Sequence, residues 1–175
     1  MKNNREIERK FIISEGTYKD LNNQLMLYFA VVDAGTSRDI FYNAPNTDVC
    51  RYRENTSEFT IKVNDNGNIT DRIEENIFID PHSSKDALLR ALEILFGPPT
   101  LVLTKCFSVF HCGLAIVSLY TVVEDSKNRY FLEVEGDSLD TVDSFIDTLS
   151  FPRGEAQPEL QTKSLYKLFL EESYD

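Results

Sequence analysis

Glu6, Glu8 and Lys10 alternate with Ile7 and Arg9 in the stretch REIERKFII, residues 5–13. In an extended strand this alternation puts two carboxylates and an ammonium on one face, with about 7 Å between successive members. Carboxylate oxygens bind Mg²⁺ or Mn²⁺, and a lysine beside them balances a phosphoryl oxygen, so the face suits a divalent cation carrying a phosphate. Three charges alone also fit the solvated face of an ordinary strand. Partners on later strands separate the two readings.

Such partners recur down the chain. Arg51 and Arg53 stand two apart in residues 48–54, and two guanidiniums on one strand face offer planar forks of donors to phosphate oxygens. Thr60 and Lys62 share a face of residues 59–63, and Arg72, Glu74 and Asn76 share one in residues 70–80. Lys105 is the strong cation of residues 100–124. Glu133 and Glu135, in RYFLEVEG, repeat the spaced acidic pair, as a cation with all-oxygen ligands requires when several carboxylates offset its charge.

Other chemistries are excluded by what is missing. Cys50, Cys106 and Cys112 form no CxxC or Cys/His cluster and read as buried small hydrophobes. His82 and His111 are isolated, so no nucleophile system of the Ser/His or Cys/His kind is legible. A formal charge of −11 and a pI near 4.6 argue against a generic nucleic-acid surface, so a polyanion must be held in a local, enclosed basic site. No apolar run reaches the length of a membrane span and the N-terminus lacks a signal-peptide core, which makes the cytoplasm the expected compartment.

The elements that position these residues follow from periodicity and punctuation. At 175 residues, 42% of them hydrophobic, the chain suits one well-buried core and a single domain, residues 1–175. Ser14 or Thr17 caps a helix to about Tyr28, with Leu21, Leu25 and Tyr28 on one side. Residues 30–42 read as extended, residues 43–46 as a turn, and Asn66-Gly67 closes a hairpin between residues 59–63 and 70–80. Residues 81–84 start a helix with Leu88, Leu89, Leu92, Leu95 and Phe96 on its apolar face, ended by Gly97-Pro98-Pro99. Residues 100–111 and 114–124 form a hairpin around Cys112-Gly113, and residues 125–128 turn into 129–136. A helix follows from Ser138 or Asp140 to Leu149, then a linker over 151–158 and a last helix over about 159–172.

In this order the charged sets resemble the CYTH family, also called triphosphate tunnel metalloenzymes, which includes class IV adenylyl cyclases, thiamine triphosphatases and inorganic triphosphatases. Glu6, Glu8 and Lys10 match its ExExK signature, Arg51 and Arg53 its RxR strand, and Lys62 the lysine that follows. Arg72 and Glu74 match the start of RxExE, Lys105 the start of KxR, and Glu133 with Glu135 the late acidic pair. Lys163 stands where several members place a further basic residue. Three positions depart: Asn76 replaces the second Glu of RxExE, Phe107 the Arg of KxR, and Tyr120 an Asp.

The resemblance implies an α+β fold, an eight-stranded antiparallel β-barrel open as a tunnel with flanking helices. Eight strands are also what the pattern itself counts, and inward charge is costly in a dry core but not in a wet tunnel. The resemblance further implies Mg²⁺ or Mn²⁺ on Glu6, Glu8, Glu133 and Glu135, and a triphosphate on Lys10, Arg51, Arg53, Lys62, Arg72, Lys105 and Lys163. Catalysis then falls to Glu6, Glu8, Lys10 and Glu74, the last binding metal or orienting a basic group. Phe107 reads first as a core side chain, with base stacking or tunnel narrowing as alternatives.

Three functions are compatible. The first is metal-dependent hydrolysis of a small-molecule triphosphate: inorganic triphosphate, a nucleoside triphosphate or thiamine triphosphate. The second is an adenylyl cyclase of the class IV type acting on ATP. The third is a non-catalytic binder of nucleotide or polyphosphate. The oligomeric state is left open, a homodimer included.

Overall fold

The structure, a computed structural model, describes residues 5–63, 71–80, 84–123, 128–151 and 158–172, and only the backbone of residues 5, 6, 71, 72, 171 and 172. Among them are nine strands and four helices: β1 (Arg5–Ile13), α1 (Glu15–Tyr28), β2 (Val31–Phe41), β3 (Val49–Arg53), β4 (Glu58–Val63), β5 (Asp71–Phe78), α2 (Lys85–Phe96), β6 (Leu101–Cys112), β7 (Ala115–Val123), β8 (Asn128–Gly136), α3 (Leu139–Ile146), β9 (Glu159–Gln161) and α4 (Leu165–Glu172). The hairpin turn at Asn66-Gly67, the turn over 125–127 and most of the 151–158 linker lie outside the described residues.

The chain forms two compact units. Of the described residues, the first holds Arg5 and those within Ser37–Leu103 and 163–172, and the second holds those within Glu6–Thr36 and Thr104–Thr162. The long strands β2 and β6 contribute residues to both.

In the first unit the strands run β5-β4-β3-β2, each antiparallel to its neighbour. Pleating sends Ile40, Tyr42, Cys50, Tyr52 and Phe59 to one face, where Leu88, Leu89, Leu92 and Phe96 of α2 cover them. Ser84 caps α2 by accepting from the Ala87 N–H at 3.3 Å. The helix stops at Gly97, whose φ of 83° suits a residue without a Cβ. Leu95, expected on the apolar face, is exposed instead. On α4, the Tyr166 ring stacks on Phe41 at 5.5 Å, and Lys167 Nζ reaches Asp48 Oδ1 at 3.0 Å.

In the second unit the order is β6-β7-β8-β1-β9, again antiparallel. Ile13, Phe110, Val117, Leu119, Leu132 and Val134 form one face and bury against Leu21 and Leu25 of α1 and Val142 of α3. Ser14 and Ser138 cap those helices by accepting from the Thr17 and Thr141 N–H groups at 3.0 and 3.1 Å. Tyr28, at the last position of α1, is exposed.

Two further sequence expectations are corrected. Residues 159–161 begin no helix: they form β9, the ninth strand, pairing with β1 through Lys10↔Gln161, Phe11↔Leu160 and Ile12↔Glu159. Pairing along an available strand edge outweighs helix propensity over three residues. Cys106 is exposed while Cys50 and Cys112 are buried. It lies four residues before Phe110, where the core of that face begins on β6, and meets Thr36 Oγ1 at 3.7 Å.

Candidate functional site

Each unit carries its core on one sheet face and its charge on the other, as a half-buried antiparallel sheet does. In the second unit, cross-strand register fixes the charged face. Lys10 pairs with Glu133 and Glu8 with Glu135 across β1 and β8, Glu133 pairs with Ser118 of β7, and Phe131, Tyr120 and Phe107 form one cross-strand row. The pattern that buries Leu132 and Val134 therefore presents Glu133 and Glu135 opposite.

Carboxylate oxygens of Glu8, Glu133 and Glu135 all lie within 4.8 Å of one another. Lys10 sits among them, its Nζ 3.1 Å from Glu8 Oε1 and 3.2 Å from Glu133 Oε2. Glu8 is 3% exposed, so its charge needs this compensation. Tyr120 Oη donates to Glu133 Oε2 at 3.1 Å, its ring stacks on Phe131 at 5.1 Å, and Lys105 Nζ lies 5.3 Å from the ring centroid. Two oxygens on one Mg²⁺ or Mn²⁺ stand at most about 4.2 Å apart, twice a bond of about 2.1 Å. The carboxylate trio thus fits such an ion after small side-chain rotations, with hard oxygen donors of the right type.

The first unit carries the basic face. Arg53 forks onto Asp39, Nε to Oδ1 at 3.0 Å and Nη2 to Oδ2 at 3.2 Å. Asp39 is fully buried and also accepts from Ser37 Oγ at 2.6 Å. Arg51 Nη2 donates to Thr60 Oγ1 at 3.0 Å, while its Nη1 and Nη2 lie 3.6 Å from Asp39 Oδ2 and 3.7 Å from Glu58 Oε1. Lys62 Nζ pairs with Glu74 Oε2 at 3.0 Å. Asn76 links the two sets, its Nδ2 donating to Glu74 Oε1 at 2.9 Å and its Oδ1 lying 2.8 Å from Thr60 Oγ1. The single Thr60 proton goes to Asn76 Oδ1 or to Glu58 Oε1, the latter 2.9 Å away.

The sequence-predicted residues therefore sort as follows. Glu8, Lys10, Glu133 and Glu135 come together in the second unit, with Lys105 on the same face. Arg51, Arg53, Lys62 and Glu74 share the charged face of the first. Glu6 lies in β1 and Arg72 in β5, and their side chains fall outside the described residues. Lys163 is exposed, just before the Ser164 hydroxyl that accepts from the Lys167 N–H at 3.3 Å. Phe107 is no core residue: its register with Tyr120 puts it on the charged face, partly exposed.

Sequence reasoning missed Asp39 and Ser37, placed Thr60 on the Lys62 face without giving it a role, and missed Tyr120 as a partner of Glu133. The signal for the first two was the alternation Ser37, Asp39, Phe41 against Arg38, Ile40, Tyr42 in a strand.

A CYTH domain family model matches residues 4–163. No curated protein matches the sequence. The fold is that of a conserved hypothetical protein from Pyrococcus furiosus, TM-score 0.70 at 16% identity, covering 93% of this chain and 99% of that one. HpAC1 from Hippeastrum, described as a candidate adenylyl cyclase with dominant triphosphatase activity, aligns with TM-score 0.69 at 13% identity over 95% of this chain and 96% of its own. A candidate adenylate cyclase from Bacillus halodurans aligns with TM-score 0.56 at 19% identity over 87% and 96%.

Proposed function

Because the chain belongs to the CYTH domain family, we propose that it is a divalent-cation-dependent hydrolase of a small triphosphate-containing substrate. The observation that carries this reading is the group of Glu8, Glu133 and Glu135 with Lys10 among them. Three carboxylates against the single ammonium of Lys10 leave an excess of negative charge, part of it shielded from water, that a divalent cation would offset. HpAC1, with the same fold, is described as having a dominant triphosphatase activity.

Glu8, Glu133 and Glu135 would hold Mg²⁺ or Mn²⁺, and Glu6 lies on β1 with Glu8. When bound, the cation neutralises charge on phosphoryl oxygens. Tyr120 fixes the orientation of Glu133 through its hydroxyl. Lys10, anchored by Glu8 and Glu133, keeps an ammonium where a phosphoryl oxygen beside those carboxylates would need one. Lys105 adds a second ammonium to that face. Within the first unit, Arg51 and Lys62 are donors of the kind a phosphate takes. Glu74 acts there as the partner that orients Lys62.

The test is phosphate release from tripolyphosphate, ATP and thiamine triphosphate with Mg²⁺ or Mn²⁺. Glu8→Gln, Glu133→Gln and Glu135→Gln should each lose about 100-fold or more, the scale for removing an electrostatic contact to a transition state. Wild-type rates in all three would reject the site. With ATP as substrate, cyclic AMP as product would show a cyclase instead.

A non-catalytic binder is the second reading. It is favoured by the aromatic row Phe107, Tyr120 and Phe131 beside the acidic group. Tight tripolyphosphate binding by calorimetry with no turnover would establish it.

A further inference from the structure

Arg51 and Arg53 share a strand face and in sequence are interchangeable donors, but their surroundings differ. Arg53 commits Nε and Nη2 to the two oxygens of Asp39. Asp39 Oδ1 is further engaged by Ser37 Oγ at 2.6 Å. A bidentate guanidinium–carboxylate pair of this geometry, on a carboxylate with no solvent exposure, is rigid and already electrically balanced.

Arg51 is left less satisfied. Its one hydrogen bond within 3.0 Å goes to the neutral Thr60 hydroxyl, and both nearby carboxylate oxygens lie beyond hydrogen-bonding distance for an ideal pair, at 3.6 and 3.7 Å. Its Nε is shielded from water and has no acceptor among the described residues. A buried cationic donor without an acceptor is costly and calls for an explanation, and an anionic oxygen supplied by a ligand is one.

We propose that Asp39 divides the labour of the two arginines: Arg53 is a positioning residue locked to Asp39, and Arg51 is the guanidinium of this pair that contacts a ligand phosphate. Asp39 locks Arg53 and stands beside Arg51 without satisfying it, so Arg51 keeps donors for the anion in a fixed direction. The inference rests on the triphosphate reading above for the nature of its ligand.

Tripolyphosphate binding in EDTA, followed by titration calorimetry, tests it as a double-mutant cycle. Arg51→Gln should weaken binding about tenfold or more in the wild-type and in the Asp39→Asn background, the scale of one lost charge-assisted hydrogen bond. Arg53→Gln should weaken binding in the wild-type background, through loss of the lock, and change it by less than about twofold once Asp39→Asn is present. An Arg53→Gln loss that persists at full size on Asp39→Asn overturns the division. Should Asp39→Asn fail to fold, Arg51→Lys against Arg53→Lys decides: the first should lose about tenfold and the second under threefold, and equal losses overturn the proposal. A wild-type chain that binds no tripolyphosphate either in EDTA or with Mg²⁺ added overturns the triphosphate reading and the ligand role of Arg51 together, whereas equal arginine losses with intact wild-type binding overturn the division alone.

Discussion

Lys10 Nζ stands 3.1 Å from Glu8 Oε1, two residues back on the same strand, and it reaches Glu133 Oε2 at 3.2 Å as well. The ammonium thus holds together carboxylates that would otherwise repel. Lys10→Met keeps the aliphatic stem and removes the charge, leaving the buried Glu8 without it. Breaking one side of a buried pair costs about 3 to 5 kcal/mol, so urea denaturation in EDTA should show a loss of that order. Added Mn²⁺ should recover part of it, because a divalent ion replaces the missing cation. Equal stability of variant and wild type in EDTA would mean that the pair contributes nothing.

Tyr120 supplies the phenol that donates to Glu133, and its ring is held independently by Phe131. Tyr120→Phe therefore separates the two roles. Stability should change by about 1 kcal/mol or less, the net worth of one hydrogen bond. Mn²⁺ affinity, followed by electron paramagnetic resonance, should fall about tenfold or more, as for other groups that orient a metal-binding carboxylate. An unchanged affinity would show that Glu133 needs no such support.

What was legible in the sequence was what short-range chemistry decides. Strand β1 runs Arg5–Ile13, as its alternation implies, and Ser14, Ser84 and Ser138 cap the helices they precede. The faces carrying Arg51, Arg53 and Lys62, and Glu133 with Glu135, also follow from period two. What stayed hidden depends on register. Asp39 meets Arg53 only because β2 and β3 pair Asp39↔Arg53; alternation in SRDIF sets which face Asp39 shares with Ser37, but neither its burial nor its partner. Strand β9 exists through pairing with β1, and Phe107 looks like a core residue until its partner Tyr120 shows which face it occupies.

Arg9 forks onto Asp143 of α3 at 3.0 and 3.2 Å. The hydrogen bond from Arg9, aided by its charge, holds the Asp143 carboxyl below its ordinary value. A depressed carboxylate contributes stability that is complete above its unfolded pKa and is lost as pH falls through the folded one. Asp143→Asn should therefore cost stability at pH 6, and the difference from wild type should shrink towards zero as urea melts are repeated down to about pH 3. The Asp143 side chain is 52% exposed, so solvent screening keeps the difference below about 1 kcal/mol. A gap that widened on acidification would contradict the assignment.

The three thiols should separate by reactivity. Burial pushes Cys50 and Cys112 up to about 11 each, which at pH 8 leaves about one thiolate in a thousand, and the thiolate is the nucleophile. Both also sit in packed cores, Cys50 beside Tyr52 and Cys112 beside Ala115, so a reagent reaches them only when the structure opens. Cys106 is exposed on β6. Iodoacetamide at pH 8, followed by intact-mass spectrometry, should add one label quickly to the folded chain and three in denaturant. Cys106→Ser should abolish the fast label. A second fast label on folded protein would show that one of the two cores opens readily, and the labelled peptide would identify which.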